Sequence, residues 1–241
     1  IRIHTDNALN EILAEYVTRE GDQAFETPAW MSGHSVVYEI PAGIRILGLQ
    51  YRESGFDTEF TGHFECDNPF LNKLWMKCER TLYINMRDSF FDCPDRERAQ
   101  WWGDIVIQLG QVFRTFDCRS HSLIRKCIYN LTQWQRVSKT LYSPIPAGNW
   151  DKELPQQMLA SIGRYGFWTY YLNTGDKQTL EDVYPHVKDY LSIWQFDAEG
   201  LVVHRSGENG WDWADWGTNV DIRTLDQAWF CLALEGAALM A

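Results

Sequence analysis

The stretch Asp88–Asp104, DSFFDCPDRERAQWWGD, sets five acids and two arginines beside a proline and two adjacent tryptophans within seventeen positions. Carboxyl groups gathered in one place are the equipment of glycosidic bond cleavage. One protonated carboxyl donates to the leaving oxygen while another activates water or attacks the sugar directly. Flat apolar rings suit the C–H faces of sugars. Glu97, Trp101 and Asp104 are spaced i, i+4, i+7, which predicts one shared helix face running on through Gln108, with Asp92 in the approach loop. A plainer reading uses the same residues: acids are favoured near a helix N-terminus, and Arg96 and Arg98 can simply pair with them. On spacing alone both readings stand.

The elements that must position these residues fall into two regions. Residues 1–62 are β-rich in part: SVVYEIPAGIRILGLQYRE predicts two strands around Pro41-Ala42-Gly43, the close of an antiparallel β-sandwich domain. Residues around DNALNEILAEYVTREG predict a short helix, and Glu53–Asp67 a linker. From Asp67 the apolar period becomes helical. Helices are expected from about Asp67, over Glu97–Phe116, over SHSLIRKCIYNLTQWQR, over LPQQMLASIGRYGFWTYYLNTGD, over KQTLEDVYPHVKDYLSIWQ interrupted at Pro185, and from near Thr224. This makes residues 63–241 a mainly α region of stacked helical hairpins. Three long loops, at 85–98, 139–154 and 206–221, recur at alternate junctions and are rich in Trp, Asp, Glu and Gly. In an (α/α) barrel such junctions share one end, and that end is where the site is expected.

Composition excludes several classes. Lys and Arg number 22 against 33 Asp and Glu, a net charge of −11, which repels polyanions, so no nucleic-acid partner is expected. No stretch has the length of apolar residues that a membrane span needs, and no signal peptide is evident. No Walker loop, G-x-G-x-x-G or H-E-x-x-H appears, so no cofactor and no metal is expected; the acidic turn Asn219–Asp221 is the one stretch considered for calcium, without a motif behind it. The six cysteines form no C-x-x-C pair and are expected to be mostly buried thiols. Asn130-Leu131-Thr132 matches a glycosylation sequon, a pattern common by chance.

The segment DCPDRERAQWWGD resembles the signature of the α-L-rhamnosidases of glycoside hydrolase family 78, D-C-P-x-R-E-R followed by G-W-x-G-D. Asp92, Cys93, Pro94, Arg96, Glu97, Arg98, Trp101, Gly103 and Asp104 fall on it in order, with Gln100 in place of the usual Gly. DWADWG is similar to the family's Gly-Asp-Trp loop, with Ala214 for Gly and Trp216 on its Trp. The resemblance implies a partial (α/α)6 barrel of the six-hairpin glycosidase type and inverting removal of terminal α-L-rhamnose from rhamnose-containing oligosaccharides, polysaccharides or glycosides. It makes Glu97 the general acid and Asp92, Arg96, Trp101, Asp104 and Trp216 the sugar-binding residues. It also implies a bacterial source, in the periplasm, outside the cell or in the cytoplasm.

By the family's layout the general base is expected beyond residue 241, and Glu235 matches no motif. Residues 1–241 are therefore expected to be a fragment without turnover, with Trp134, Trp168, Phe230 and Leu234 bordering an uncovered apolar surface. Two rivals remain: another (α/α) barrel enzyme such as a uronyl hydrolase or lyase, and a non-catalytic sugar-binding homologue.

Overall fold

A computed structural model describes residues 1–7, 12–28, 30–146, 152–214 and 216–241. The chain divides into two compact units: Ile1–Ser54 with Cys93–Arg98, and Gly55–Asp92 with Ala99–Ala241.

The first unit holds a three-stranded antiparallel sheet of β1 (Arg2–Thr5), β2 (Leu13–Glu15) and β3 (Val36–Glu39), in the order β2-β1-β3. β2 lies where the sequence predicts a helix; Leu13, Ala14 and Glu15 instead pair with His4, Ile3 and Arg2. Residues 8–11 of that expected helix lie outside the described residues. The second arm of the expected hairpin does not form. Residues 44–49 belong to no strand, and Ile46, Leu47 and Leu49 are exposed, so alternation alone did not supply a neighbouring strand.

The second unit is helical: α1 (Pro69–Ile84), α2 (Trp102–Thr115), α3 (His121–Gln133), α4 (Pro155–Ile162), α5 (Thr169–Thr174), α6 (Lys177–Ser192) and α7 (Ile222–Met240). The caps follow from residue type. The Asn68 side chain accepts from the Phe70 amide ahead of Pro69, Asp176 from Thr179, and Asp221 from Arg223 and Thr224. Asp221, the acid of the turn considered for calcium, thus serves as a helix cap, and its hydrogen bonds with Thr224 lower its pKa.

All eight residues of α4 are buried. α2 and α7 pack against it, α3 packs against α6, and α1 and α6 pack on α2 and α7 respectively. The core joins Trp102, Ile105, Leu109 and Val112 of α2 to Ile124, Ile128 and Leu131 of α3, Met158 and Leu159 of α4, and Phe230 and Ala233 of α7. Phe230 is therefore core, against Trp194 and Phe196, rather than the edge of an uncovered face. Trp134 and Leu234 are exposed, and Trp168 packs on Tyr171.

Three further expectations are corrected. α6 runs through Pro185 without a break. The fourth helix is interrupted at Gly163, whose backbone is extended, and resumes as a π-turn at Arg164–Trp168 before α5. Glycines permit this: a Cβ on Gly166 would meet the Ser161 carbonyl oxygen at 1.8 Å, and one on Gly236 of α7 would stand 2.6 Å from Gly163 and Arg164 backbone atoms. Within the stretch expected as a linker, the Thr61 and Gly62 amides both donate to the Thr115 carbonyl at the end of α2. Among the cysteines only Cys127 is buried, and burial pushes its thiol up to about 12; Cys78, Cys118 and Cys231 are exposed. The sequon lies within α3 with Thr132 buried and its hydroxyl donating to Ile128, so it is no open glycosylation acceptor. Among the described residues no helix is long and apolar enough to cross a membrane.

The glycine contacts generate a stability test. Gly166→Ala is expected to destabilise by about 1–3 kcal/mol through overpacking. Gly110→Ala on α2, where nothing lies within 4 Å of the added atom, is expected to be neutral or to stabilise by up to about 1 kcal/mol. Denaturant unfolding of both variants checks the contrast.

Candidate active site

The acidic-aromatic stretch does not start a helix at Glu97. α2 begins at Trp102, with Trp101 extended at its cap. The reason is local. Arg98 adopts a left-handed backbone at φ 51, which stops helical propagation toward Ala99. The ladder is replaced by a reciprocal pair: the Asp92 amide donates to the Ala99 carbonyl at 3.0 Å, and the Ala99 amide donates to Asp92 Oδ1 at 3.0 Å. Residues 93–98 therefore leave the helical unit at one closed point and return to it at the same point. Glu97, Trp101 and Asp104 are not three positions on one helix face.

Within the first unit the excursion is held by several polar contacts. Arg98 donates to the carbonyls of Pro94 at 2.7 Å and Trp30 at 2.6 Å and to Ser32 Oγ at 2.7 Å, and its guanidinium lies 4.2 Å over the Trp30 ring. Asn7 donates to Asp95 Oδ1 at 2.8 Å, and Ser32 to the Pro94 carbonyl at 3.2 Å. Arg98 thus ties two carbonyls and a hydroxyl of this unit together. Arg96 pairs with an acid, as the plainer sequence reading allowed: its Nε donates to Glu97 Oε1 at 2.7 Å, and its Nη2 pairs with the same oxygen. The Cys93 thiol donates to Glu97 Oε2 at 3.3 Å, and partial burial raises its pKa. Arg96 is largely exposed (64%), whereas the Glu97 side chain is only 20% exposed, so the arginine is the partner with room to move.

In the helical unit, Trp101 is 8% exposed and Asp104 sits in the first turn of α2. The Trp102 amide donates to Ser143 Oγ at 2.8 Å and the Gly103 amide to Gln157 Oε1 at 3.2 Å, so the start of α2 is tied to the 139–154 loop and to α4. A Cβ at Gly103 would lie 2.7 Å from the Gln157 side chain, which accounts for a glycine there. From Trp101 a run of indoles leads outward: Trp101 to Trp211 at 6.2 Å between centroids, Trp211 to Trp213 at 6.3 Å, Trp213 to Trp216 at 5.7 Å. Trp101 at one end is buried, Trp211 and Trp213 are partly exposed, and Trp216 at the other end is 84% exposed. Trp101 and Trp216, expected at the site from separate motifs, thus belong to one aromatic wall. Asp215 of the same motif, and residues 147–151 of the second long loop, lie outside the described residues.

Sequence reasoning missed Glu153. It is fully buried, accepts Arg205 on both oxygens at 2.7 and 2.6 Å, and also accepts Tyr190 Oη at 3.0 Å and the Glu208 amide at 2.9 Å. Glycines let the loop close on it: a Cβ on Gly207 or Gly210 would lie 2.0 or 1.9 Å from the Glu153 carbonyl oxygen. No periodic pattern flags an acid in Lys-Glu-Leu-Pro; the one signal was the pair of glycines in SGENG, which calls for a close backbone approach.

These helix pairs, with acid- and tryptophan-bearing loops joining them, define a six-hairpin glycosidase fold. Residues 59–241 match the family model described as the bacterial α-L-rhamnosidase six-hairpin glycosidase domain, and the chain belongs to that family. An α-L-rhamnosidase of Formosa agariphila is 25% identical over 199 residues, covering 73% of this chain and 19% of that protein. One of Streptomyces avermitilis is 28% identical over 187 residues, covering 76% and 17%. Among solved structures, the Streptomyces avermitilis α-L-rhamnosidase complexed with L-rhamnose superposes with a TM-score of 0.64 at 24% identity, covering 77% of this chain and 18% of that one. The rhamnosidase from Klebsiella oxytoca with rhamnose bound gives 0.62 at 24% identity, covering 73% and 34%. The chain spans about a fifth of the length of the curated relatives it matches.

Because Glu153 is a buried carboxylate with three donors, Glu153→Ala leaves Arg205 uncompensated, and a loss of about 3–5 kcal/mol is expected. Thermal and denaturant unfolding would reveal it; a loss below about 1 kcal/mol would mean that the loop relaxes and Arg205 reaches water.

Proposed function

We propose that the protein is an inverting α-L-rhamnosidase in which Glu97 is the general acid. The supporting observation is the acid-bearing excursion itself, pinned at Asp92–Ala99 in a chain whose relatives carry that activity by name. In this reading residues 1–62 close a β domain and residues 63–241 belong to the catalytic helical domain. The Glu97 proton passes to the glycosidic oxygen as the bond from that oxygen to the anomeric carbon breaks. A water molecule, deprotonated by a second carboxylate, forms the new bond from the opposite face. Arg96 has to turn away from Glu97 before the carboxyl can carry that proton, and its exposure allows the movement. The guanidinium then becomes a donor for a sugar hydroxyl.

Asp92 and Asp104 act as hydroxyl acceptors, Asp92 while its Oδ1 keeps the Ala99 amide. Trp101 is the buried back of the sugar pocket, and Trp216 the outer ring on which a longer substrate stacks. The substrates are rhamnose-terminated glycosides, oligosaccharides or polysaccharides.

Two outcomes check the assignment in the full-length protein. Glu97→Gln is expected to cut turnover of natural rhamnosides by orders of magnitude, with a smaller loss on activated aryl rhamnosides, whose leaving group needs little protonation. Equal loss on both substrate types, or unchanged turnover, removes Glu97 from the general-acid role, and a wild-type protein that binds rhamnosides without turning them over is a binder rather than an enzyme. Asp104→Ala is expected to weaken binding of free rhamnose by about ten- to a hundred-fold, the worth of one charge-assisted hydrogen bond. Calorimetry reads that change directly.

A further inference from the structure

The aromatic wall is carried by the segment between α6 and α7, whose described residues form no helix or strand. Something else must hold it. Asp226 on α7 is fully buried, and its two oxygens serve two different relays. Oδ1 accepts Gln156 Nε2 of α4 at 2.7 Å, and Gln156 Oε1 in turn accepts the Trp213 amide at 2.8 Å. Oδ2 lies 2.8 Å from His204 Nδ1, and His204 Nε2 lies 3.4 Å from Asp212 Oδ2. One carboxylate thereby reaches two consecutive residues, Asp212 by its side chain and Trp213 by its backbone.

A buried carboxylate is costly unless its acceptor sites are used, and packing alone would be met by an apolar residue of similar size. The geometry here uses both oxygens, and both lead to the same point of the loop. That point is the middle of the wall, because Trp213 touches Trp211 on one side and Trp216 on the other. We infer that Asp226 is a positioning residue that, through Gln156 and His204, fixes Asp212 and Trp213, and with them the indoles of Trp211, Trp213 and Trp216, as a preformed sugar-stacking surface. It touches no substrate; it sets where the indoles stand before the sugar arrives, so binding does not have to order them. The inference rests on the rhamnosidase reading for the identity of the sugar.

The test uses the full-length protein with Asp226→Ala, Asp226→Asn and Gln156→Leu. The carboxamide introduced by D226N keeps one acceptor for Gln156 and offers an N–H to His204 in its other tautomer, so this variant is the conservative rescue. Gln156→Leu cuts only the relay to Trp213 and serves if D226A fails to fold. Two quantities are read: amide hydrogen exchange of residues 211–216 without sugar, and affinity for free L-rhamnose or a rhamnose-terminated oligosaccharide. D226A and Q156L are expected to speed exchange at Trp213 at least tenfold, to raise Kd and KM about tenfold or more, and to change kcat on an aryl rhamnoside by less than threefold. D226N is expected to stay near wild type. Faster exchange with unchanged affinity overturns the positioning role, and so does unchanged exchange. If the wild-type protein binds no rhamnose while the exchange difference persists, the rhamnosidase reading fails and the clamp is shown to serve something other than that sugar.

Discussion

The reciprocal hydrogen bonds between Asp92 and Ala99 are the constraint on which the acidic stretch depends. Two bonds of 3.0 Å close a ring across seven residues and let the backbone leave the helical unit without ending it. Without that closure, the stretch from Asp88 to Gln108 would face a choice between continuing as helix and dissolving into a loop. With it, Glu97 sits in a segment fixed at its base by Asp92 and along its length by the Arg98 fork. Asp92 is therefore an architectural residue, and its replacement would disturb the whole excursion.

Side-chain acceptors organise the other loops in the same way. Glu153 and Asp226 are both fully buried acids, each with a partner on a helix and at least one on an irregular segment. A regular helix cannot hold a loop by packing alone, because loop backbone carries amides that need acceptors. A buried carboxylate is a strong acceptor with two oxygens, and each here is committed to that task. The result is a wall of four indoles whose inner ring is core and whose outer ring is solvent-exposed.

What the sequence made legible follows the range of each signal. Helical period and caps are local, and α1, α3, α6 and α7 lie where Asn68, the apolar stripes, Asp176 and Asp221 place them. Trp101 and Trp216 were named from two separate motifs, and their union in one aromatic run could not be read from either. The start of α2 was misplaced by five residues because the spacing of Glu97, Trp101 and Asp104 fits a helix and nothing in the string declares a positive φ at a non-glycine such as Arg98. The break at Gly163 was missed because its cause is the approach of Gly236, some seventy positions away. Glu153 and Asp226 were missed for the same reason: their partners, Arg205 and His204, are distant in sequence, and only the fold shows that these acids are buried.

The membership of residues 93–98 in the N-terminal unit has a consequence for how such a protein can vary. That unit is discontinuous in the chain, so no single cut or crossover removes it whole. A recombination event placed at residue 54 would import a new Trp30 and Ser32 while retaining the old Arg98, separating a guanidinium from the carbonyl, hydroxyl and ring that receive it. Exchange of N-terminal modules among relatives is thereby penalised unless the short internal segment travels too. The two units are bound to be inherited together, and substitutions at positions 30, 32 and 98 are expected to track one another through descent.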